Sequence, residues 1–169
     1  MSIALRPTLP ADLPYVLALE TSRDNAPWVL PWPEERHRDA LADPDVIHAV
    51  IVTKEDGRRI GYAIIAGLRN PHRSIELVRL VIDEKRKGWG RATLRLLKRK
   101  AFIEWGAHRF WLDVFSENAR ARSLYEAEGF TPEGRLREVV CHDGRFRDLV
   151  VMSVLQQETA APEWSGEAP

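Results

Sequence analysis

The sequence has little of what several classes of protein depend on. It contains one cysteine, Cys141, which excludes an internal disulfide and is typical of a reducing compartment such as the cytoplasm. No apolar run approaches the ~20 residues that a membrane-spanning helix needs. Pro10 and Asp12 interrupt the first apolar residues, so no signal peptide is expected. We therefore expect a cytoplasmic protein without a membrane partner.

The sequence also lacks an excess of charge of either sign. It has 25 basic and 25 acidic residues and a formal net charge of zero. Domains that bind nucleic acid are usually basic overall, so a nucleic-acid partner is not expected. Internal repeats and zinc-binding spacings of cysteine and histidine are absent as well, and no metal site is predicted. The positive charge is instead concentrated locally, near residues 85–91.

Hydrophobic content of 44% and charged content of 30% over 169 residues are typical of one globular domain. Hydrophobic patterning predicts strands at residues 3–6, 46–53, 59–68, 75–82, 108–115, 136–141 and 146–155, and helices at residues 11–21, 34–41, 92–105 and 119–128. Strands alternate with helices in the middle and form hairpins on both sides. The prediction is an α/β (α+β) fold with a mixed, mostly antiparallel sheet of about seven strands and about four helices. Residues 1–156 form the predicted domain, and the polar stretch 157–169 is expected to be a loose tail.

The most informative stretch is a basic glycine turn between the strand at 75–82 and the helix that follows. It reads Lys85, Arg86, Lys87, Gly88, Trp89, Gly90, Arg91. Glycines let a ligand approach the main chain, and the first amides of a helix have no internal partner, so the turn suits a pyrophosphate. A dinucleotide loop would need glycine where Thr93 stands, and a Walker loop is absent. An ordinary turn with solvated cations remains the alternative.

Two acid–base candidates lie outside this turn. Alternation puts Glu76 on a strand face with Val78, Leu80 and Ile82, where a carboxylate is unexpected; it either serves a site or pairs at the strand end. Tyr125 lies on a short helix that Asn118 precedes. Tyr125 also fits a core position, and Asn118 also fits a plain helix cap.

A loop with three prolines, residues 25–33, carries Trp28 and Trp32. Loops on a rigid scaffold often carry specificity, so these tryptophans are candidates for a substrate pocket between the loop and the strand of Glu76. The alternative is that both fill the core beneath the loop.

Two segments resemble the GNAT superfamily of acetyl-CoA-dependent N-acetyltransferases. Residues 81–90 are similar to the family's strand followed by Gln/Arg-x-x-Gly-x-Gly/Ala, with Lys85 at the first position. Residues 114–130 match all seven fixed positions of Val-x-x-x-Asn-x-x-Ala-x-x-Leu-Tyr-x-x-x-Gly-Phe. The stretch from Asp143 to Met152 further resembles the branch of ribosomal-protein N-terminal and spermidine acetyltransferases.

The resemblance implies roles for these residues. Acetyl-CoA would be the co-substrate, with its pyrophosphate on the amides of residues 86–91. Its pantetheine would lie along the main chain of Leu80 and Val81, with Asn118 in contact and Tyr125 near the sulfur. The acceptor would be the primary amine of a small molecule, polyamine or peptide.

Three functions remain under consideration from the sequence. The first is an N-acetyltransferase that transfers acetyl directly, with Glu76 as base and Tyr125 as acid. The second is a non-catalytic CoA-binding or regulatory module with the same fold. The third is a partner-binding domain whose basic turn meets a phosphorylated protein. A homodimer is also considered as an assembly.

Overall fold

The computed structural model describes residues 2–159. Seven strands form one sheet: β1 (Ile3–Pro7), β2 (Val46–Thr53), β3 (Arg59–Ala66), β4 (Ser74–Ile82), β5 (Arg109–Phe115), β6 (Thr131–His142) and β7 (Arg145–Leu155). Four α-helices accompany them: α1 (Leu13–Thr21), α2 (Glu34–Ala42), α3 (Trp89–Arg99) and α4 (Ala119–Ala127). None of the helices within residues 2–159 is long and apolar enough to cross a membrane.

The sheet has the order β1-β2-β3-β4-β5-β7-β6. Every neighbouring pair is antiparallel except β4 and β5, which are parallel. A parallel pair needs a crossover, and α3 supplies it. The predicted mixed, mostly antiparallel sheet with four helices is therefore confirmed.

Two apolar cores cover the two faces of the sheet. The larger contains Leu94 and Leu97 of α3, with Leu124 and Tyr125 of α4 packed against it. The smaller contains Val16 and Leu19 of α1, with Tyr62, Ile64 and Val81 from β3 and β4. Helices α3 and α4 thus lie on the opposite face of the sheet from α1.

A β-bulge in β4 changes the predicted orientation of its side chains. Arg79 pairs with Ile64 and Leu77 pairs with Ile65, so Val78 is an extra residue with no opposite partner on β3. The side chains of Leu77 and Leu80 therefore both pack into the larger core, while Val78 packs against the smaller one. The predicted strict alternation was wrong here, because the bulge adds one residue between the two halves of the strand.

Several element boundaries also differ from the predictions. The α-helix after the glycine turn ends at Arg99, and a π-helical turn, Lys100–Glu104, completes the stretch predicted to be helical to residue 105. Strand β6 begins at Thr131 rather than 136, with bulges after Pro132 and Leu136. Gln156–Glu158 form a 3-10 turn, and the rest of the predicted tail, from residue 160, lies outside the described residues.

A buried polar cluster around Glu20 holds α1 against the sheet and against the loop of residues 25–33. Glu20 is 1% exposed and accepts hydrogen bonds from Arg79, from the Tyr62 hydroxyl at 2.5 Å and from the Trp32 amide at 3.0 Å. Burial would raise the pKa of Glu20, but His37, Arg79 and these hydrogen bonds hold it below its usual value. Glu20 therefore stays ionised and paired at neutral pH.

We expect Glu20→Ala to destabilise the fold by about 3–5 kcal/mol, because it leaves the Arg79 charge buried without its partner. The matched control is Glu34→Ala, which removes an exposed pair with Arg38 on α2 and should cost less than about 1 kcal/mol. Urea unfolding at neutral pH measures both. Equal losses in the two variants would contradict this account of Glu20.

Candidate functional site

A cleft opens where β4 and β5 stop pairing. Only Ser74, Ile75 and Glu76 of β4 have partners on β5, at Arg109, Phe110 and Trp111. Beyond Glu76 the strands diverge, and residues 77–80 of β4 and 113–115 of β5 line opposite walls. The cleft has a volume of about 890 Å³. Because β4 still pairs with β3 as far as Ile82, the main-chain groups of 77–80 that face β5 have no strand partner.

The glycine turn closes one end of this cleft. Gly88 takes φ +78° and is the N-cap of α3, so the helix begins at Trp89 with its first amides directed at the turn. Arg86 also lies in the left-handed region, with φ +64°. A Cβ built on Gly90 would meet only Leu124 Cδ2 at 3.5 Å and Ile82 Cγ1 at 3.9 Å. The fold therefore has room for a side chain at Gly90, and glycine there leaves space for a ligand.

The basic residues of the turn are divided between the cleft and the protein. Lys85, Arg86 and Arg91 line the cleft, as do Gly88, Trp89 and Gly90. Lys87 does not line it and pairs with Glu84 at 2.7 Å. Arg91 also lies 3.2 Å from Glu128 at the end of α4. Leu80 lines the cleft, whereas the Val81 side chain is buried in the smaller core and only its main chain remains for a ligand.

Helix α4 brings Asn118 and Tyr125 to the same cleft. Asn118 caps the helix, since its Oδ1 accepts the Ala121 amide at 3.1 Å, and it lines the cleft as well. The Tyr125 ring packs 5.8 Å from the Phe130 ring, and within residues 2–159 no hydrogen bond to its hydroxyl is found. Burial and the nearby Asp113 raise the pKa of Tyr125 to about 12. The phenol is therefore protonated at neutral pH and able to donate.

Asp113 of β5 lines the cleft and was not singled out in the sequence. Asp113 remains exposed to solvent, but its partial desolvation raises its pKa, and its charge in turn raises the pKa of both Glu76 and Tyr125. The signal that would have found it is the one used for Glu76, namely a carboxylate on a largely apolar strand. Asp113 and Tyr125 both line the cleft.

Glu76 is not among the residues that line the cleft, and its site role, one of the two alternatives from the sequence, stays a prediction. It lies opposite Trp111, in the last residue pair before β4 and β5 diverge. Its pKa is raised, first by burial and then by Asp113. Strands β4 and β5 are still paired at Glu76, so this residue lies at the closed end of the cleft.

The two tryptophans of the proline loop have different surroundings. Trp28 is 39% exposed, lines the cleft and lies 6.4 Å from the Phe115 ring. Trp32 does not line the cleft; its ring centroid lies 3.9 Å from the guanidinium of Arg36 and 5.3 Å from the ring of His37. Residues 24–30, which we call the acceptor loop, line one wall through Asp24, Asn25, Trp28, Val29 and Leu30. The pocket prediction thus fits Trp28, and the core alternative fits Trp32.

Comparison with protein families gives one match. The model of the Acetyltransferase (GNAT) family matches residues 14–130. Uncharacterized N-acetyltransferases of Mycobacterium tuberculosis are 35% identical over 100 residues, which cover 59% of this chain. The match spans 62% of the length of those relatives. The spermidine N(1)-acetyltransferase of Escherichia coli K12 is 27% identical over 170 residues, covering 95% of this chain and 89% of that protein.

Solved structures agree with these relatives. A spermidine N-acetyltransferase from Vibrio cholerae, in complex with CoA and spermine, superposes with a TM-score of 0.82 at 26% identity, covering 93% of this chain and 97% of that one. A dodecameric structure of the Vibrio cholerae enzyme has a TM-score of 0.78, with 93% and 95% covered. The fold is therefore shared over nearly the whole described chain.

We expect Gly90→Val to weaken CoA binding by about 10-fold or more, because its side chain would fill the space beside the helix amides. The fold should be unaffected, since the new Cβ makes only ordinary contacts. Titration calorimetry with CoA measures the Kd, and thermal unfolding confirms the fold. The control is Gly134→Val on β6, where a Cβ meets nothing within 4 Å. Unchanged CoA affinity in a folded Gly90→Val protein would remove the turn from the cofactor site.

Proposed function

The chain belongs to the acetyltransferase (GNAT) family, and from that premise we propose that it is an acetyl-CoA-dependent N-acetyltransferase that transfers acetyl directly to the primary amine of a polyamine. The observation that carries the proposal is the cleft between the diverging strands β4 and β5. It has a glycine turn with helix amides at one end and a protonated tyrosine beside a carboxylate on its walls.

Acetyl-CoA is the co-substrate of this family, and the residues of the cleft fit it. The first amides of α3, with the positive end of the helix dipole, suit the pyrophosphate, and Gly90 leaves room for it. Arg86 and Arg91 line the same end and supply positive charge, while Lys87 adds to the field from outside the cleft. The unpaired main chain of β4 near Leu80 and Val81 suits the amide groups of pantetheine, because a strand edge offers both donors and acceptors.

The reaction requires the amine to lose a proton before its nitrogen attacks the thioester carbonyl carbon. We assign the proton acceptor to Asp113, which lines the cleft and whose charge also raises the pKa of Glu76. A raised pKa suits a carboxylate that must take a proton near neutral pH. The site role of Glu76 predicted from the sequence stays a prediction.

The carbon–sulfur bond then breaks, and the departing CoA thiolate needs a proton. Tyr125 is the proposed donor, since its raised pKa keeps its hydroxyl protonated. A β4 amide near Val81 is the proposed donor to the thioester oxygen as negative charge develops on it. Acetyl moves from sulfur to nitrogen in one transfer, so no acetylated enzyme is required.

The acceptor is assigned to the polyamines on charge and on the relatives. Among the described residues, four acidic side chains line the cleft, namely Asp24, Glu84, Asp113 and Glu117, beside five basic ones, Arg79, Lys85, Arg86, Arg91 and Arg120. A polyamine carries several positive charges, which the four carboxylates can match. The Escherichia coli relative is named a spermidine N(1)-acetyltransferase, and the Vibrio cholerae structure contains spermine. Neutral amino acids offer no charge to match these carboxylates beyond one ammonium group. That the chain forms a homodimer stays a prediction.

The direct experiment is an acetyl-CoA consumption assay with spermidine, spermine, peptides with free N-termini, amino acids and aminoglycosides. We expect turnover with spermidine or spermine, with kcat/KM at least about 10-fold above the other classes, which is a difference of about 1.4 kcal/mol. A peptide preference would overturn the polyamine assignment. CoA binding without turnover of any amine would favour a non-catalytic module, against which Tyr125 and Asp113 in the cleft argue.

We expect Tyr125→Phe to lower kcat by roughly 10²–10⁴-fold, because the phenol that protonates the thiolate is removed. CoA affinity and melting temperature should hardly change, since the ring keeps its place against Phe130. Steady-state kinetics, CoA titration and thermal unfolding on one preparation test this. Full activity with a lowered melting temperature would return Tyr125 to a purely structural role.

The two tryptophans should respond differently to removal. We expect Trp28→Ala to raise the KM for spermidine about 3- to 30-fold, the value of one cation–π contact, with little loss of stability. Trp32→Ala is the matched variant; it should lower stability by about 3 kcal/mol, because the ring packs between Arg36 and His37. Its KM should change less than that of Trp28→Ala. The reverse pattern would show that Trp28 is not part of the acceptor pocket.

A further inference from the structure

Side chains from both sides of the cleft form hydrogen bonds with the acceptor loop. From the β4 side, Arg79 donates to the Leu30 carbonyl at 2.6 Å, and Lys85 donates to the side-chain oxygen of Asn25. From the β6–β7 hairpin, Arg147 donates to the Pro27 carbonyl at 2.8 Å, and the Nε2 of His142 lies 2.8 Å from the Ala26 carbonyl. Apart from a single 3-10 turn, Ala26–Trp28, the loop is irregular, so these contacts hold it in place.

Asn25 is the buried anchor of this loop. It is 4% exposed, and its Nδ2 donates to the Leu19 carbonyl and to Ser22 Oγ, both at 3.0 Å. With its amide nitrogen fixed at the end of α1, its Oδ1 points to the Lys85 ammonium. If Lys85 moved, the Asn25 side chain could keep this contact only by breaking its hydrogen bonds to Leu19 and Ser22.

Lys85 also belongs to the cofactor turn. It lines the cleft and is followed directly by Arg86, at φ +64°, and then by Gly88, at φ +78°. Left-handed backbone in a non-glycine residue persists only where the surroundings hold it. Anchoring the Lys85 side chain therefore restrains the part of the main chain on which the helix N-terminus depends.

We infer that Lys85 is a positioning residue that joins the acceptor loop to the cofactor turn through Asn25, so that the two substrates bind to one connected unit. This role assumes the proposed function, because it concerns how the amine and acetyl-CoA sites of that reaction communicate. The competing role is that of a phosphate ligand. The contact with Asn25 favours positioning, and the lowered pKa of Lys85, caused first by burial, agrees with an ammonium packed against protein.

Asn25 separates the two roles, because it carries no charge and its side-chain oxygen is already given to Lys85. The experiment compares wild type, Lys85→Met, Asn25→Ala and the double variant. CoA Kd by calorimetry and the spermidine KM and kcat at saturating acetyl-CoA are measured on each. If Asn25→Ala does not fold, Asn25→Ser replaces it, since the shorter side chain no longer reaches Lys85.

If Lys85 positions the loop, both single variants raise the spermidine KM by a similar factor, about 5-fold or more, with kcat less affected. The double variant is then no worse than Asn25→Ala alone, because the contact between Lys85 and Asn25 is already lost in that variant. Their CoA Kd values shift together, within about 2-fold of each other. Lys85→Arg, which keeps the donor and the charge, should recover most of the lost spermidine affinity.

The inference is overturned if Lys85→Met weakens CoA binding about 10-fold or more while Asn25→Ala leaves it unchanged, because Lys85 is then a phosphate ligand. It is equally overturned if the losses in spermidine KM add in the double variant. Lys54→Met, an exposed lysine of the β2–β3 turn that does not line the cleft, controls for the loss of one charge. The CoA titrations need no turnover, so a failure of the proposed function, seen as no acetylation by wild type, is distinguishable from a failure of the coupling.

Discussion

The separation of two parallel strands after three residue pairs is the constraint on which the rest of this molecule depends. Strands β4 and β5 are joined only at Ser74–Glu76, so a single sheet becomes two arms with a wedge between them. Each arm stays rigid because it has another neighbour, β3 for β4 and β7 for β5. The wedge exposes backbone that a continuous sheet would have paired, and it is here that a ligand with amide groups fits.

Polar contacts, rather than apolar packing, hold the loop that forms one wall of the cleft. The acceptor loop receives donors from both arms, with Arg79 and Lys85 on one side and Arg147 on the other. Arg79 is itself held by the buried carboxylate of Glu20. The buried pair of Glu20 and Arg79 thus also holds the loop that lines one wall of the cleft.

The sequence was sufficient where local rules decide. The glycine turn, the cap at Asn118 and the hairpin at Asp143 and Gly144 follow from residue preferences, and the last has positive φ at both positions, as its Asp-Gly pair predicts. The family resemblance, carried by residues 81–90 and 114–130, is confirmed.

The sequence was not sufficient where the pairing of strands determines the position of a side chain. The bulge at Val78 has no residue signature, and it changed the faces of Arg79 and Leu80. Glu76 and Asp113 look alike in sequence, and only the point at which β4 and β5 diverge separates the closed end from the cleft. The different surroundings of Trp28 and Trp32 likewise depend on Glu20 and His37, which are distant in sequence from the cofactor motif.

Hydrogen exchange with and without CoA tests the central claim, that the wedge between β4 and β5 is the cofactor site. Amides on the open side of residues 77–81 and at the start of α3 lack strand or helix partners, so they should exchange readily in the free protein and slow when CoA binds. Residues 49–52 of β2, paired with both β1 and β3, serve as the internal reference and should not change. The account predicts protection confined to 77–91 and the facing residues 113–121. Saturating CoA that left these segments unchanged, or protected another surface instead, would contradict it.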